Sequence, residues 1–256
     1  IKRVRNDNSI SYGFLEINKN LMTTQKQIFP EAKHYKNISD IPDSPTIFIG
    51  NEFLDVFPIR QYIKINKTWK EIFVTTDNDK LHYCYNDIED KTLFEEHIKN
   101  LHTEADFFEI NTMIKKIISD ISVFIKRNNG ICLFIDYGYS KGCGNTLQAL
   151  KNHKYVDPLS FPGESDLTSH INFSHVINEA ENLGMNFFGP ITQRNFLINL
   201  GARERLEILK KSANSEKIKN DLEEGLNRVI ENSQMGELFK VCAISPKNKL
   251  IPEGFD

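Results

Sequence analysis

Cysteine is scarce, and Cys84, Cys132, Cys143 and Cys242 form no CxxC pair and no zinc-ligand spacing, so the sequence offers no grounds for a metal centre. Cys132 and Cys242 sit in apolar runs, and the four read as core thiols kept reduced. No stretch of about 18 apolar residues is present, which excludes a helical membrane span, and no leader-like segment lies near the start. Basic residues do not exceed acidic ones: 32 Lys and Arg face 35 Asp and Glu, a net charge of -3. A chain without a basic stripe is poorly matched to nucleic acid, which leaves a small-molecule or protein substrate. Internal repeats and low-complexity linkers are also lacking. These absences describe a globular protein of the cytosol, or of the mitochondrial matrix if the source is a eukaryote.

What is present suffices for one substantial core: 39% of the 256 residues are hydrophobic, and residues 1–256 are read as one domain. The first residue is Ile1 rather than Met. The numbered chain is therefore expected to start inside a longer product, at a processing site, or in an interrupted reading frame.

Apolar runs alternate with helical periodicity along the chain. Tyr12 to Ile17 reads as a strand and Leu21 to Phe29 as its helix. Thr46 to Ile49, fenced by Pro45 and Gly50, reads as a strand buried on both faces. Gln61 to Ile65 and Lys70 to Thr75 alternate around Asn66-Lys67 as a hairpin, with Trp69 a packing residue. From Ile110 onward, Ile114, Ile117, Ile118, Ile121 and Ile125 mark an amphipathic helix ended by Gly130. Ile131 to Ile135 is the next buried strand, closing at Asp136. Phe173 to Leu183 is a helix capped by Asn172 or Ser174, and Met185 to Phe188 a strand. A charged-faced helix around Ile218 to Ile230 precedes the last strand, Phe239 to Ile244. The pattern predicts a doubly wound α/β fold with a mixed edge formed by the late strand.

In such sheets ligands bind beyond the carboxyl ends of the strands, which singles out Glu16, Asn51 to Asp55, and Asp136 to Tyr139. An ionised Glu16 has the acceptors for both hydroxyls of a ribose; the alternative is a solvated strand-end acid. Asn51, Glu52 and Asp55 form a polar cluster past a buried strand, either a functional loop or a helix start in which Asn51 caps and the acids oppose the dipole. His170 and His175 are five apart, off the spacing of a helical metal pair.

The segment Gly50 to Gln61 (GNEFLDVFPIRQ) resembles the "hEFFDxLP" element of the MidA-like, complex I assembly-factor family, and Ile135 to Tyr139 (IDYGY) resembles its "DYG" strand end. Thr146 to Phe173 is similar to "HKxxDPLxxPGxADLTAHVDF". Gly189 to Leu200 with Gly201 and Arg205 resembles "GxxTQxxFLxxLGIxxR", and Met235, Gly236 and Phe239 resemble "MGxxF". The ordered resemblance spans nearly the whole chain.

It implies a class I methyltransferase fold, Rossmann-like, with a mixed sheet and helical additions, using S-adenosylmethionine (SAM) and no metal. In mitochondrial relatives the acceptor is an arginine of a respiratory complex I subunit, so the implied partner is a protein. Glu16 becomes the ribose-binding acid, with Asp136 a second cofactor-binding candidate. Asn51, Glu52 and Asp55 become the catalytic candidates. His153, Asp166 and Gln193 are the substrate candidates; the block holding His153, Asp166, Thr168 and His170 is either a substrate lid or a packed loop, and Gln193 and Arg205 either meet substrate or cap a helix.

Departures accompany the match. The family's glycine loop, "ELGPGRGTL", would lie upstream of Glu16 and is not among the 15 residues that precede it. Gly142-Cys143-Gly144 lacks its position and spacing. The expected fold therefore lacks the first strand-loop-helix, and residues 1–256 alone are expected to bind SAM weakly. Asn172 stands where the family has an aspartate. An inactive remnant or noncatalytic assembly protein of the same fold is the rival reading; a nicotinamide dehydrogenase would use Glu16 similarly but leaves the later motifs unexplained.

Overall fold

A computed structural model describes residues 10–99, 105–140, 144–247 and 249–256. Gly142 and Cys143, weighed above against the cofactor loop, lie outside them. In chain order the first elements are β1 (Gly13–Leu15), α1 (Lys19–Ile28), β2 (Lys33–Tyr35), β3 (Ile47–Asn51), β4 (Ile59–Ile65), β5 (Thr68–Asp77), β6 (Lys80–Asn86) and α2 (Lys91–Ile98). Then come β7 (Phe107–Asn111), α3 (Ile114–Asn128), β8 (Ile131–Tyr139), β9 (Gln148–Lys151), β10 (Lys154–Val156), β11 (Asp166–Thr168) and β12 (Ile171–Asn172). The last are α4 (Phe173–Asn182), β13 (Asn186–Thr192), α5 (Gln193–Asn199), α6 (Ala202–Lys211), α7 (Glu216–Ile230), α8 (Met235–Leu238) and β14 (Phe239–Ser245).

The principal sheet is built around β8. On one side β3 runs parallel to it from Ile47↔Ile131 to Asn51↔Ile135, and β12 takes over at Gly138 and Tyr139. On the other side β14 is antiparallel, and β13 follows it. The sheet is mixed, as expected, but the last strand is not its edge: β14 lies between β8 and β13 and is buried along nearly its whole length, being covered on both faces.

Ile114, Ile118, Ile121 and Ile125 are all buried and hold α3 against α4 and the sheet, the outcome that their spacing dictates. That helix starts at Ile114, not Ile110. Ile110 belongs to strand β7, and Asn111 breaks the run by accepting the amide of Met113 on its side chain. The stop is Asn129, left-handed at φ 58°, rather than Gly130.

One expected feature is corrected. β3 is buried on one face only: Phe48 packs edge-on against Phe124 of α3, while Ile47 and Ile49 are 71% and 62% exposed. Among the described residues, β8 is its sole strand partner, and β1 and β2 form a two-stranded sheet of their own.

The hairpin read around Asn66-Lys67 is present, with both turn residues at positive φ, but it belongs to a four-stranded antiparallel sheet, β6-β5-β4-β7. This sheet and α2 enclose a second core of Tyr62, Phe108 and Ile110, against which Trp69 packs. Cys132 and Cys242 lie in the principal core as expected, whereas Cys84 on β6 is only half-buried.

Gly138 is where β12 meets β8. A Cβ there would stand 2.1 Å from the carbonyl oxygen of Ile171 and 2.7 Å from its nitrogen, so no side chain fits without moving backbone. Gly138→Ala is expected to destabilise the fold by about 1–3 kcal/mol, read as a lowered Tm; an unchanged Tm would mean that β12 shifts freely.

Candidate functional site

The turn after β3 carries the polar cluster, and its shape is set from below by Asp136. One Asp136 oxygen accepts the backbone N–H groups of Phe53 at 3.1 Å and Leu54 at 2.8 Å, and the other accepts that of Tyr137. With both oxygens engaged and the residue 1% exposed, Asp136 anchors the turn and has no surface to offer a ligand. Leu54 is driven into the core, Asn51 and Glu52 stay outside, and Glu52 is left-handed at φ 47°. A non-glycine residue held there stores strain of a kind that collects at functional sites. No helix follows the turn, so the helix-capping reading of these residues does not apply.

Asp55 ends the turn, fully enclosed. Tyr137 donates its hydroxyl to Asp55 Oδ2 at 2.6 Å, and the Asp55 carbonyl accepts the N–H of Ser169 at 3.0 Å. Asp55 Oδ1 is buried and makes no hydrogen bond; the N–H groups of Asp55 and Val56 are near enough to favour the carboxylate but are not aligned to bond. The hydroxyls of Thr168 and Ser169 are likewise buried without partners, although Thr168 stands beside the Tyr137 ring hydroxyl. Three unpaired polar atoms on residues that line one cavity are costly unless something else binds them.

The charge balance follows from burial. Burial raises the pKa of Asp55, Asp166 adds to the rise, and the Tyr137 hydrogen bond opposes it. Asp136 is pushed up to about 7, first by burial and then by the charge of Asp55. Tyr137 is raised by burial and by Asp55, so it stays protonated and remains a donor. Two neighbouring carboxyls with raised pKa values behave as a coupled pair.

The distinctive block after Thr146 is docked here through Glu109 of β7. Glu109 accepts from Gln61 Nε2 at 2.7 Å, from the Thr146 N–H at 3.0 Å and from the Thr146 hydroxyl. Thr146 Oγ1 in turn accepts the N–H of His170 at 3.0 Å, and the His170 ring packs edge-on against Tyr137. Nothing in the sequence pointed to Glu109 beyond an acid within an otherwise apolar strand.

The remaining candidates separate. Asp166 starts β11 at the rim and adds its charge to that of Asp55. His153 is exposed at the tip of the β9–β10 hairpin with φ 60°, where it serves the turn. Gln193 is buried and donates to the carbonyl of Val229 at 2.9 Å, tying α5 to α7. Arg205 is exposed on α6. Asn172 caps α4 by accepting the N–H of Ser174. Glu16, half-buried at the end of β1, accepts from Asn18 N at 2.8 Å and Gln25 Nε2 at 3.4 Å, so it is fixed in place rather than loose in water.

Comparison with known proteins bears on this arrangement. A family model described as "Putative S-adenosyl-L-methionine-dependent methyltransferase" matches residues 2–191. The mitochondrial protein arginine methyltransferase NDUFAF7 homolog of Caenorhabditis elegans is 35% identical over 252 residues, covering 94% of this chain and 55% of the relative. The mitochondrial protein arginine methyltransferase NDUFAF7 of Homo sapiens is 30% identical over 219 residues, 84% of this chain and 49% of its own. The chain thus spans about half the length of the curated relatives it matches. A Burkholderia thailandensis protein solved with S-adenosyl-homocysteine bound shares the fold at a TM-score of 0.80 and 23% identity, covering 96% of this chain and 65% of that one.

Proposed function

The chain belongs to the S-adenosyl-L-methionine-dependent methyltransferase family whose model it matches, and on that premise we propose that the protein methylates an arginine side chain of a protein acceptor. The observation that carries this reading is Asp55, a buried carboxylate with one oxygen free, at the carboxyl end of the principal sheet. A guanidinium supplies the donors that Asp55 Oδ1, Thr168 and Ser169 lack, and a cation there offsets the cost of ionising Asp55.

The residues present fit one end of the cofactor. Glu16 is a held carboxylate at the end of β1 with lone pairs left over from Asn18 and Gln25, suited to ribose hydroxyls, and Asn51 and Glu52 stand exposed at the end of β3. When bound, SAM supplies an electrophilic methyl group. The chain's own residues do the rest: Tyr137 fixes Asp55 Oδ2, which leaves Oδ1 to orient the acceptor nitrogen and to take the proton that nitrogen releases on methylation. Asp136 keeps the turn in place without touching either partner.

The finer reading places the acceptor among the subunits of respiratory complex I in the mitochondrial matrix. Its support is the sequence resemblance together with mitochondrial relatives. Among the described residues no helix is long and apolar enough to cross a membrane.

Two measurements test the proposal. Mass spectrometry of mitochondrial extracts incubated with labelled SAM and the full-length protein should show label on arginine; label confined to lysine or to small molecules sinks it. In the same protein Glu16→Ala is expected to weaken SAM binding by roughly 1–3 kcal/mol. An equal dissociation constant in calorimetry would leave Glu16 as the residue that shapes the start of α1.

A further inference from the structure

The four-stranded sheet and the small β9–β11 sheet face each other beside the turn that carries Asp55, and the space between them is a cavity of about 410 Å³. Its polar end is Asp55 with Thr168 and Ser169. Its walls are apolar and come from separate elements: Val74 of β5, Tyr83 of β6, Leu159 of the loop after β10, and Leu167 of β11. We propose that this cavity receives the acceptor as an extended peptide segment whose arginine is flanked by apolar residues, the guanidinium reaching Asp55 and the flanking side chains covering the walls. The inference rests on the arginine-methylation reading and adds to it a sequence preference and the residues that enforce it.

Two features favour such a segment over a folded surface or an anionic one. Val56, Val74 and Leu167 line the cavity yet are 58%, 51% and 50% exposed, a band of apolar surface at its mouth that awaits cover. Tyr83 and Leu167 lie on β6 and β11, each the edge strand of its sheet, and edge strands offer backbone groups to an extended chain. The charge at the closed end is negative, with Asp166 at the rim raising the pKa of Asp55. A cation is therefore drawn in and an anionic peptide repelled.

The test uses full-length protein and three fluorescein-labelled hexapeptides, identical except for a central Leu-Arg-Leu, Ser-Arg-Ser or Leu-citrulline-Leu, with binding read by fluorescence polarisation. Leu-Arg-Leu should bind at least about tenfold tighter than either of the others, the effect of roughly 1.4 kcal/mol. Val74→Asp and Tyr83→Ser, both at partly exposed positions, should each abolish the preference for leucine over serine. Asp55→Asn should abolish the preference for arginine over citrulline. Equal binding of the leucine- and serine-flanked peptides, no binding of any peptide, or a leucine preference that survives both wall substitutions would overturn the inference. Labelled-SAM transfer is measured separately. Selective binding without transfer would sink the proposed reaction and leave the cavity assignment standing; transfer without flank preference would do the reverse.

Discussion

Asp55→Asn in the full-length protein is expected to lower methyl transfer to an arginine peptide by roughly 10²- to 10³-fold, while SAM affinity stays within about twofold. Asparagine keeps the shape, and its oxygen can still accept the Tyr137 hydroxyl that now sits 2.6 Å from Oδ2. What changes is the free position: an amide N–H₂ replaces the unpaired Oδ1 and points donors at an acceptor that is all donors. The charge that would orient a guanidinium and take its proton is lost together with the geometry for binding it. Stability should not fall, because burial already penalises the ionised acid, and the neutral amide escapes that penalty. Single-turnover transfer from labelled SAM, equilibrium SAM binding and thermal unfolding on one preparation separate these effects. A lowered Tm with transfer intact per folded molecule would make Asp55 a purely architectural acid.

The legibility of this site differs from residue to residue. Asp55 was reachable because it follows an apolar strand within four residues of two other polar groups, Asn51 and Glu52, and the carboxyl ends of such strands are where open sheets bind ligands. Its buried state was not, since a turn rich in acids reads as solvated until Asp136, 81 positions away, is seen to pull Phe53 and Leu54 inward. Asp136 shows the opposite error: a strand-end acid looks like a ligand contact, yet its oxygens are consumed by backbone. Tyr137 matters through the one bond it gives Asp55, and Thr168 and Ser169 through what they fail to bond, properties of three-dimensional neighbours that no spacing encodes.

The fold was legible to the same depth. Periodicity located the long helices and apolar strands because each buries one continuous face. The strands β9 to β11, three or four residues each, pair through backbone within a polar, Gly- and Pro-bearing stretch and leave no alternating signal. The burial of β3 escapes the sequence for a related reason: the consecutive apolar residues Ile47, Phe48 and Ile49 suggest cover on both sides, but cover depends on elements elsewhere in the sheet.

The pH behaviour of the Asp55 and Asp136 pair supplies the second large effect. Burial first, and the charge of Asp55 second, lift Asp136 from 3.8 to about 7, against the pull of three backbone N–H groups. The folded protein therefore keeps a proton that the unfolded chain has already released between about pH 4 and pH 7. Its contribution to stability is fully present below the unfolded value and is lost as pH rises through 7. Asp136→Asn carries no ionisable group and retains an oxygen for Phe53 and Leu54, so the variant should gain on the parent as pH rises, overtaking it by on the order of 3 kcal/mol above pH 7. Because other carboxyls titrate in both proteins, the difference between parent and variant in urea unfolding from pH 4.5 to 8 is the quantity to read. Because burial and then the charge of Asp55 lift Asp136, Asp55 ionises first, and the substitution removes no charge from beside it while it does so. The acid limb of the transfer rate against pH is accordingly expected to stay in place in Asp136→Asn while the stability difference changes. A stability difference that does not change across that range would show that Asp136 gains no proton on folding, and that the turn is held by its backbone bonds alone.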